Sequence, residues 1–320
     1  MTNLIKELSN TTQFKNIFFR MLVVIIICIV LSFLTEAFFT TNNLLNVLRQ
    51  ASLLFLMASG LTLVLLTAGI DLSVGANVGM SACVAAVAMA STGSTLLGFL
   101  SGIGCGILIG VGNGLLVTFL RLPSFIATYG MLWILHGLTY YMMAGTTING
   151  FDKSFRFIGS GYLYGIPVPI YIMSLFLIVG SIFTKYSIYG QQIYAVGANP
   201  LSARLSGVPV NRRLMLVYIL SGMTAGLASL VFLARLNSAE GDIGENLTLP
   251  AIAAVLIGGT SLFGGVGTMF GTLIGALILT LVLNGMNILT IDGNYQALVT
   301  GIIIILSVFL DLIFRRKVSS

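Results

Sequence analysis

Long apolar runs constrain this chain more than any other feature. MLVVIIICIVLSFL (21–34) and GIIIILSVFLDLIF (301–314) carry a single acid between them, and each approaches the roughly 20 residues that cross the hydrocarbon of a bilayer. Only 8% of the residues are charged and 57% are hydrophobic. An ordinary globular domain is about a quarter charged, so this chain lacks the polar residues to clothe a water-facing surface. No small-residue cleavage site follows the first run, which is therefore expected to stay as a helix rather than be removed as a signal. Cys28, Cys83 and Cys105 lie in apolar segments, where a thiol behaves as a small hydrophobe. Their spacing fits neither a disulfide framework nor a metal site. The expected fold is an all-α polytopic membrane protein.

Apolar stretches between polar breaks give about ten candidate transmembrane segments, at 18–38, 44–69, 73–91, 95–119, 123–144, 166–184, 214–235, 248–262, 268–288 and 296–314. Two of them, 73–91 and 248–262, are short and rich in Gly, Ala and Ser, and are expected to be short or discontinuous. The chain then divides into an N-terminal cytoplasmic stretch (1–17), a first membrane bundle (18–184), a cytoplasmic loop (185–213), a second membrane bundle (214–314) and a basic cytoplasmic tail (315–320). With both termini inside, the inner side receives Lys6, Lys15, Arg20, Arg121, Lys185, Arg204, Arg212, Arg213, Arg315, Arg316 and Lys317, and the outer side only Arg49, Lys153, Arg156 and Arg235. That asymmetry is the positive-inside pattern. The net charge of +6 is therefore assigned to the inner leaflet and not to nucleic acid, because the basic residues flank spans and never interleave with exposed aromatics.

Gly98, Gly102, Gly106, Gly110 and Gly114 recur every fourth residue. Helices in lipid gain no hydrophobic drive toward each other and associate through close contact of small residues, so this stripe predicts a packing groove for a neighbouring helix, fixed or sliding. GGTSLFGGVGTMFG (258–271) contains a GxGxxxG that lacks the preceding strand and the acid of a dinucleotide site. GIDLSVG (69–75) and GTSLFGG (259–265) share Gly at both ends and Leu fourth, as a duplicated half with a broken helix would leave.

Several chemistries are missing. None of the five lysines follows a glycine, so no Walker A loop can form. One histidine excludes HExxH and His-rich metal sites. No paired acids, Ser–His or Ser–Lys arrangement lies within the spans, so no catalytic residue is assigned. Glu36 and Asp71 are the carboxylates nearest to spans, both at span ends, which is sparse for an ion-driven carrier. His136 in MLWILHGLTYY reads as an interior histidine near the bundle axis, or as a substrate contact or proton relay. Trp133, Tyr140 and Tyr141 read as interface anchors or as sugar-stacking rings. Asp71 reads as a cap for a helix starting near 73, or as a gating residue. ARLNSAEGDIGENL (234–247) reads as a solvated loop or a docking surface.

The loop AVGANPLSARLSGVPVNRR (195–213) is the polar exception. Asn199 is suited to cap a helix with Pro200 at its first position, Leu201 and Leu205 share a face at i, i+4, Gly207 ends the turn and Pro209 prevents continuation. Two turns are too short to be stable alone, so this helix is expected to seat in a groove of a soluble partner.

GIDLSVG (69–75), LPSFIATYGM (122–131), YAVGANPLSARLSGVPV (194–210), AIAAVLIGGTSLFGG (251–265) and GTLIGALIL (271–279) resemble, in order and spacing, the characteristic segments of ribose-type sugar ABC permeases. The resemblance implies a bacterial inner-membrane subunit that holds no cofactor itself. It would pair with a second permease copy or relative, take sugar from a periplasmic binding protein and work with cytoplasmic ATPases that bind ATP and Mg. It implies that Ala195–Gly207 docks into the ATPase, with Ala198, Asn199, Pro200, Ala203 and Gly207 shaping the element, Leu201 and Leu205 as apolar knobs and Arg204 as a charged contact. Asp71, Ser73, Phe125, Tyr129 and His136 would lie near the translocation path. The 145–165 region matches no such segment, faces outward, and is expected to vary with binding protein and sugar. Permeases for nucleosides, a furanose signal or amino acids, and an ion-coupled carrier without an ATPase, remain the alternatives.

Overall fold

A computed structural model describes residues 2–319, with side-chain surroundings for residues 17–309. Lys6, Lys15, Arg315, Arg316 and Lys317, used above to orient the chain, therefore lie outside the described side chains. The elements run α1 (Thr2–Leu34), α2 (Thr41–Leu66), α3 (Val74–Thr92), α4 (Thr95–Thr118), α5 (Ser124–Met143), β1 (Ile148–Asn149), α6 (Lys153–Ser160), β2 (Tyr162–Leu163), β3 (Ile166–Pro167), α7 (Val168–Tyr186), α8 (Ile188–Ala198), α9 (Pro200–Leu205), α10 (Val210–Leu236), β4 (Ser238–Ala239), α11 (Thr248–Ile257), α12 (Met269–Ile288) and α13 (Gly293–Ser319). The strands are two-residue pairs, β1 with β4 and β2 with β3, both antiparallel.

Local chemistry sets many boundaries. Thr40, Ser94, Ser187 and Thr268 each precede a helix and accept a hydrogen bond from the backbone N–H three residues on, satisfying a donor that the first turn leaves orphaned. Gly93 closes α3 in the left-handed region at φ +67°.

Seven helices among the described residues are long and apolar enough to cross a membrane: α1 from Ile17, α2, α3, α4, α7, α10 and α12. The expected count of about ten is met by seven such helices, with α5, α11 and α13 at the remaining three expected positions. The segment expected at 248–262 is helical only over the 10 residues of α11, about 15 Å at 1.5 Å per residue, half of a hydrocarbon core. The segment at 123–144 is the 20-residue α5, whose His136, Trp133 and tyrosines keep it out of the seven. The segment at 296–314 belongs to α13, described as apolar over Gly293–Phe309. The segment at 73–91 is α3, a helix of full length.

Every residue from Ala51 to Leu66 is buried. A helix that is apolar all round belongs inside a bundle or against lipid, and α2 takes the inside position while α1 and α7 remain mostly exposed. The chief partners of α10 are α4, α2 and α3, so helices from before and after the central loop interleave. The stripe of α4 faces α10 at Gly106 and Gly110 and turns toward α3 at Gly98: a Cβ on Gly106 would run into the Gly222 carbonyl, and one on Gly98 into Met89. Gly222 returns the contact against the Gly106 carbonyl, so the α4 and α10 backbones touch with no side chain between them.

Candidate translocation and coupling site

Helix α9 is short, and its start and stop follow from its residues. Asn199 Oδ1 accepts from the Ser202 N–H at 2.9 Å, and Pro200 occupies the first turn, where a missing N–H costs nothing. After Leu205 the Val208 N–H returns to the Ala203 carbonyl at 3.0 Å and Gly207 adopts φ +82°, a left-handed helix end that glycine reaches without strain. Ala203 is buried, whereas Leu201 and Leu205 are 66% and 82% exposed. Arg204 is exposed beside them.

The expected loop 185–213 also contains a second helix before α9, α8 over Ile188–Ala198. Ser187 opens α8 by accepting from the Gly190 N–H at 2.9 Å. Its far end is pressed into the bundle: a Cβ on Gly197 would collide with the Leu66 carbonyl and the Gly265 N–H, and that N–H donates to the same Leu66 carbonyl at 2.9 Å. Tyr194 donates its phenol to the Gly267 carbonyl at 2.7 Å. Burial pushes that phenol above its ordinary value, so it stays a donor. Thus the α8–α9 segment, the turn after α2 and the turn between α11 and α12 meet at one junction.

The turn after α2 leads into GIDLSVG. Asp71 is 3% exposed, and its Oδ1 accepts from the Ser73 N–H at 3.0 Å and the Ser73 hydroxyl at 2.7 Å. Its Oδ2 accepts from the Ser221 hydroxyl of α10 at 3.0 Å, and Asn113 of α4 donates to Ser73 Oγ at 2.7 Å. Asp71 therefore does not cap the next helix in the expected way. Ser73 holds the cap position without a side-chain bond, and the carboxylate instead ties its own turn to α10. Asn113 Oδ1 and the Tyr218 hydroxyl, both buried, have no hydrogen-bond partner among the described residues.

Helix α5 is fastened to the same turn. The Ser124 hydroxyl accepts from the Ile70 N–H at 3.2 Å, and Thr128 donates to the Ile70 carbonyl and accepts from the Leu72 N–H, both at 3.1 Å. The neighbouring face of α5 points away from the bundle and carries a row of rings. Phe125 stacks on Tyr129 at 5.9 Å and 1°, Tyr129 meets Trp133 edge-on at 6.3 Å, and Trp133 lies 6.1 Å from His136. Phe125, Tyr129 and Trp133 are all about half exposed. His136 is half-buried on this face, not an interior histidine at the bundle axis. Tyr140 continues the row and Tyr141 lies beside it, both exposed. The structure thus brings Asp71 and Ser73 to one side of α5, and Phe125, Tyr129 and His136 to the other.

Sequence reasoning did not pick out Ser124, Thr128, Asn113 or Ser221. The first pair carried a signal, a Ser and a Thr at i, i+4 within LPSFIATYG, one helical face beside the Phe125–Tyr129 face. Asn113 and Ser221 carried none, lying 40 residues from Ser73 and 150 from Asp71. On the opposite end of α2, Arg49 stacks over Tyr162 at 5.0 Å and fastens the 145–165 region to the bundle. Glu240, Asp242 and Glu245 are exposed in the loop after β4.

A family model described as the permease component of the branched-chain amino acid transport system matches residues 43–308. The ribose import permease of Escherichia coli strain K12 is 39% identical over 295 residues, covering 91% of this chain and 92% of the relative. The ribose import permease of Bacillus subtilis strain 168 is 39% identical over 91% of this chain and 90% of its own. The D-allose transport system permease of Escherichia coli strain K12 is 38% identical over the same shares. No solved structure gives a significant match.

Proposed function

We propose, for a chain that belongs to the family of permease components described for branched-chain amino acid transport and is 39% identical to ribose import permeases, that it is the multi-pass inner-membrane permease subunit of an ATP-driven monosaccharide importer. The relatives named above carry ribose and D-allose in their names, and those are the proposed substrate class. The amino-acid reading rests on the family description alone.

The observation that carries the mechanism is the α8–α9 unit. It presents two leucines to solvent on a helix whose root is bonded to the 258–268 turn through Tyr194 and packed against the end of α2 at Gly197. The 185–213 segment faces the cytoplasm in this reading, with both termini on the same side and the 18–184 and 214–314 stretches on either side of it. Ala198, Asn199, Pro200, Ala203 and Gly207 shape the element, and Leu201, Leu205 and Arg204 seat in a separate ATPase chain, which binds ATP and Mg. When two ATPases close, each pulls an α9. Gly197 and Tyr194 pass the displacement to the turn after α2 and to the 258–268 turn, and the Asp71–Ser73 turn passes it to α5 through Ser124 and Thr128. A second copy or relative supplies the other half of the pore. The sugar leaves a periplasmic binding protein at the outer loops and passes the rings of Phe125, Tyr129 and Trp133, with His136 beside them. Neutral polyols suit such a path: aromatic faces accept C–H groups and hydroxyl-bearing rims need no charge.

Affinity capture from native membranes, with partners identified by mass spectrometry, tests this reading. A captured protein bearing GxxxxGK[ST] that disappears when Leu201, Arg204 and Leu205 become Ala supports it. Capture of the intact permease without such a protein removes it and returns the chain to an ion-coupled carrier.

A further inference from the structure

Two cavities of about 620 Å³ each adjoin at the first turn of α10, sharing Asn211 and Arg212 in their walls. One is basic. Arg121, Arg204 and Arg212 line it, all three are exposed, no acid stands in its wall, and none of the three guanidinium groups bonds another described residue. Arg121 projects from the α4–α5 turn at φ +55°, a conformation rare for a side-chain-bearing residue. The other cavity is a groove walled by Phe119, Phe183, Met215, Leu216, Ile219 and Leu220, running along the first turns of a helix apolar enough to span the membrane. Arg213, at its edge, is already engaged, stacked over Tyr189 at 4.5 Å and donating to Gln192.

A row of cations without counter-ions, opening onto an apolar groove at the end of a membrane span, matches a molecule with an anionic head and an acyl tail. We propose that this double cavity binds one anionic glycerophospholipid of the inner leaflet, its phosphate between Arg121 and Arg212 and the first carbons of a chain against Leu216 and Ile219. Basic pockets at the cytoplasmic ends of helices recognise such headgroups. The lipid would touch α9 through Arg204, so the site sits between the bilayer and the element assigned to the ATPase. The inference rests on the cytoplasmic placement of 185–213 and on no other part of the transport reading.

The test is native mass spectrometry of the full permease chain, delipidated in mild detergent and offered phosphatidylglycerol and phosphatidylethanolamine with matched chains. No ATPase or sugar is present, so a failure of the importer reading leaves this result readable. The wild type is expected to retain phosphatidylglycerol at least ~10-fold better than phosphatidylethanolamine. R121Q/R212Q should abolish the preference, and Leu216→Trp, which fills the groove without touching the charges, should lower retention of both lipids. Equal retention by the wild type, or a preference unchanged in R121Q/R212Q, overturns the proposal. So does displacement of the lipid by millimolar inorganic phosphate, which would assign the arginines to a soluble anion.

Discussion

The Tyr194 phenol donates to the backbone carbonyl of Gly267 across 2.7 Å, joining a helix just before α9 to the turn between α11 and α12. The bond lies beside the point where Gly197 abuts the Leu66 carbonyl, so a displacement of α9 reaches two bundle turns at once. Removing the hydroxyl should leave the fold in place and loosen the connection. Tyr194→Phe is expected to lose about 1 kcal/mol of stability and to lower sugar moved per ATP hydrolysed several-fold at normal membrane abundance. Parallel uptake and hydrolysis assays in one vesicle preparation read this ratio, and an unchanged ratio excludes Tyr194 from the linkage.

Leu201 and Leu205 are exposed, so truncating them should cost the isolated subunit almost nothing. Buried in a partner's groove, each leucine is worth about 1.5–3 kcal/mol. The L201A/L205A pair should therefore weaken ATPase capture at least ~100-fold with an unchanged melting temperature in detergent. A drop in both would assign the leucines to the fold instead.

The contact between α4 and α10 makes opposite forecasts for two glycines two residues apart. A Cβ on Gly106 meets backbone atoms of Gly222 and Gly226, whereas one on Gly104 meets nothing within 4 Å. Gly106→Ala should destabilise by about 2 kcal/mol, the scale of overpacking. Gly104→Ala should be neutral or slightly stabilising, since alanine favours the helix. Equal melting of the two variants would contradict the packing.

Asp71 accepts three hydrogen bonds in a buried setting. Asp71→Ala strands those donors and should cost roughly 3 kcal/mol or more. Asp71→Asn keeps one acceptor for Ser73, and the Ser221 hydroxyl can turn to accept from the new amide, so its cost should be less than half. Trp133 is the sole tryptophan and sits on α5, which Ser124 and Thr128 tie to this turn, so its fluorescence reports the unfolding.

If sugar passes the ring row, Trp133→Ala should raise KM about 10-fold, the loss of one stacking contact of ~1.4 kcal/mol, with ATPase capture unaffected. A wild-type KM would place the row against lipid or the second copy.

What could be read ahead of the structure was local. Asn199, Pro200, Gly207 and Pro209 spell out α9 because cap, first turn and stop are all set within a few residues. α8 escaped because its opening signal, Ser187, is a single hydroxyl next to a glycine, and its apolar residues show no stripe distinct from the adjoining span. The Asp71 network was legible on one side only: Ser124 and Thr128 share a motif and a helical face, while Asn113 and Ser221 reach Asp71 and Ser73 through tertiary packing that no spacing announces. Small residues marked both 73–91 and 248–262 as short, yet only α11 is, at 10 residues, while α3 runs 19, so residue size alone does not set a helix's length. The length and low apolarity of α5 instead separate two properties that an apolar-run reading treats as one.

The most direct test of the central claim is uptake of labelled ribose into cells expressing the chain with its captured partners, with D-allose and xylose as competitors. Uptake that continues when the ion gradients are collapsed, stops on ATP depletion and is lost in the L201A/R204A/L205A variant is the expected result. Uptake that follows the ion gradient and ignores both ATP and those three residues would contradict it.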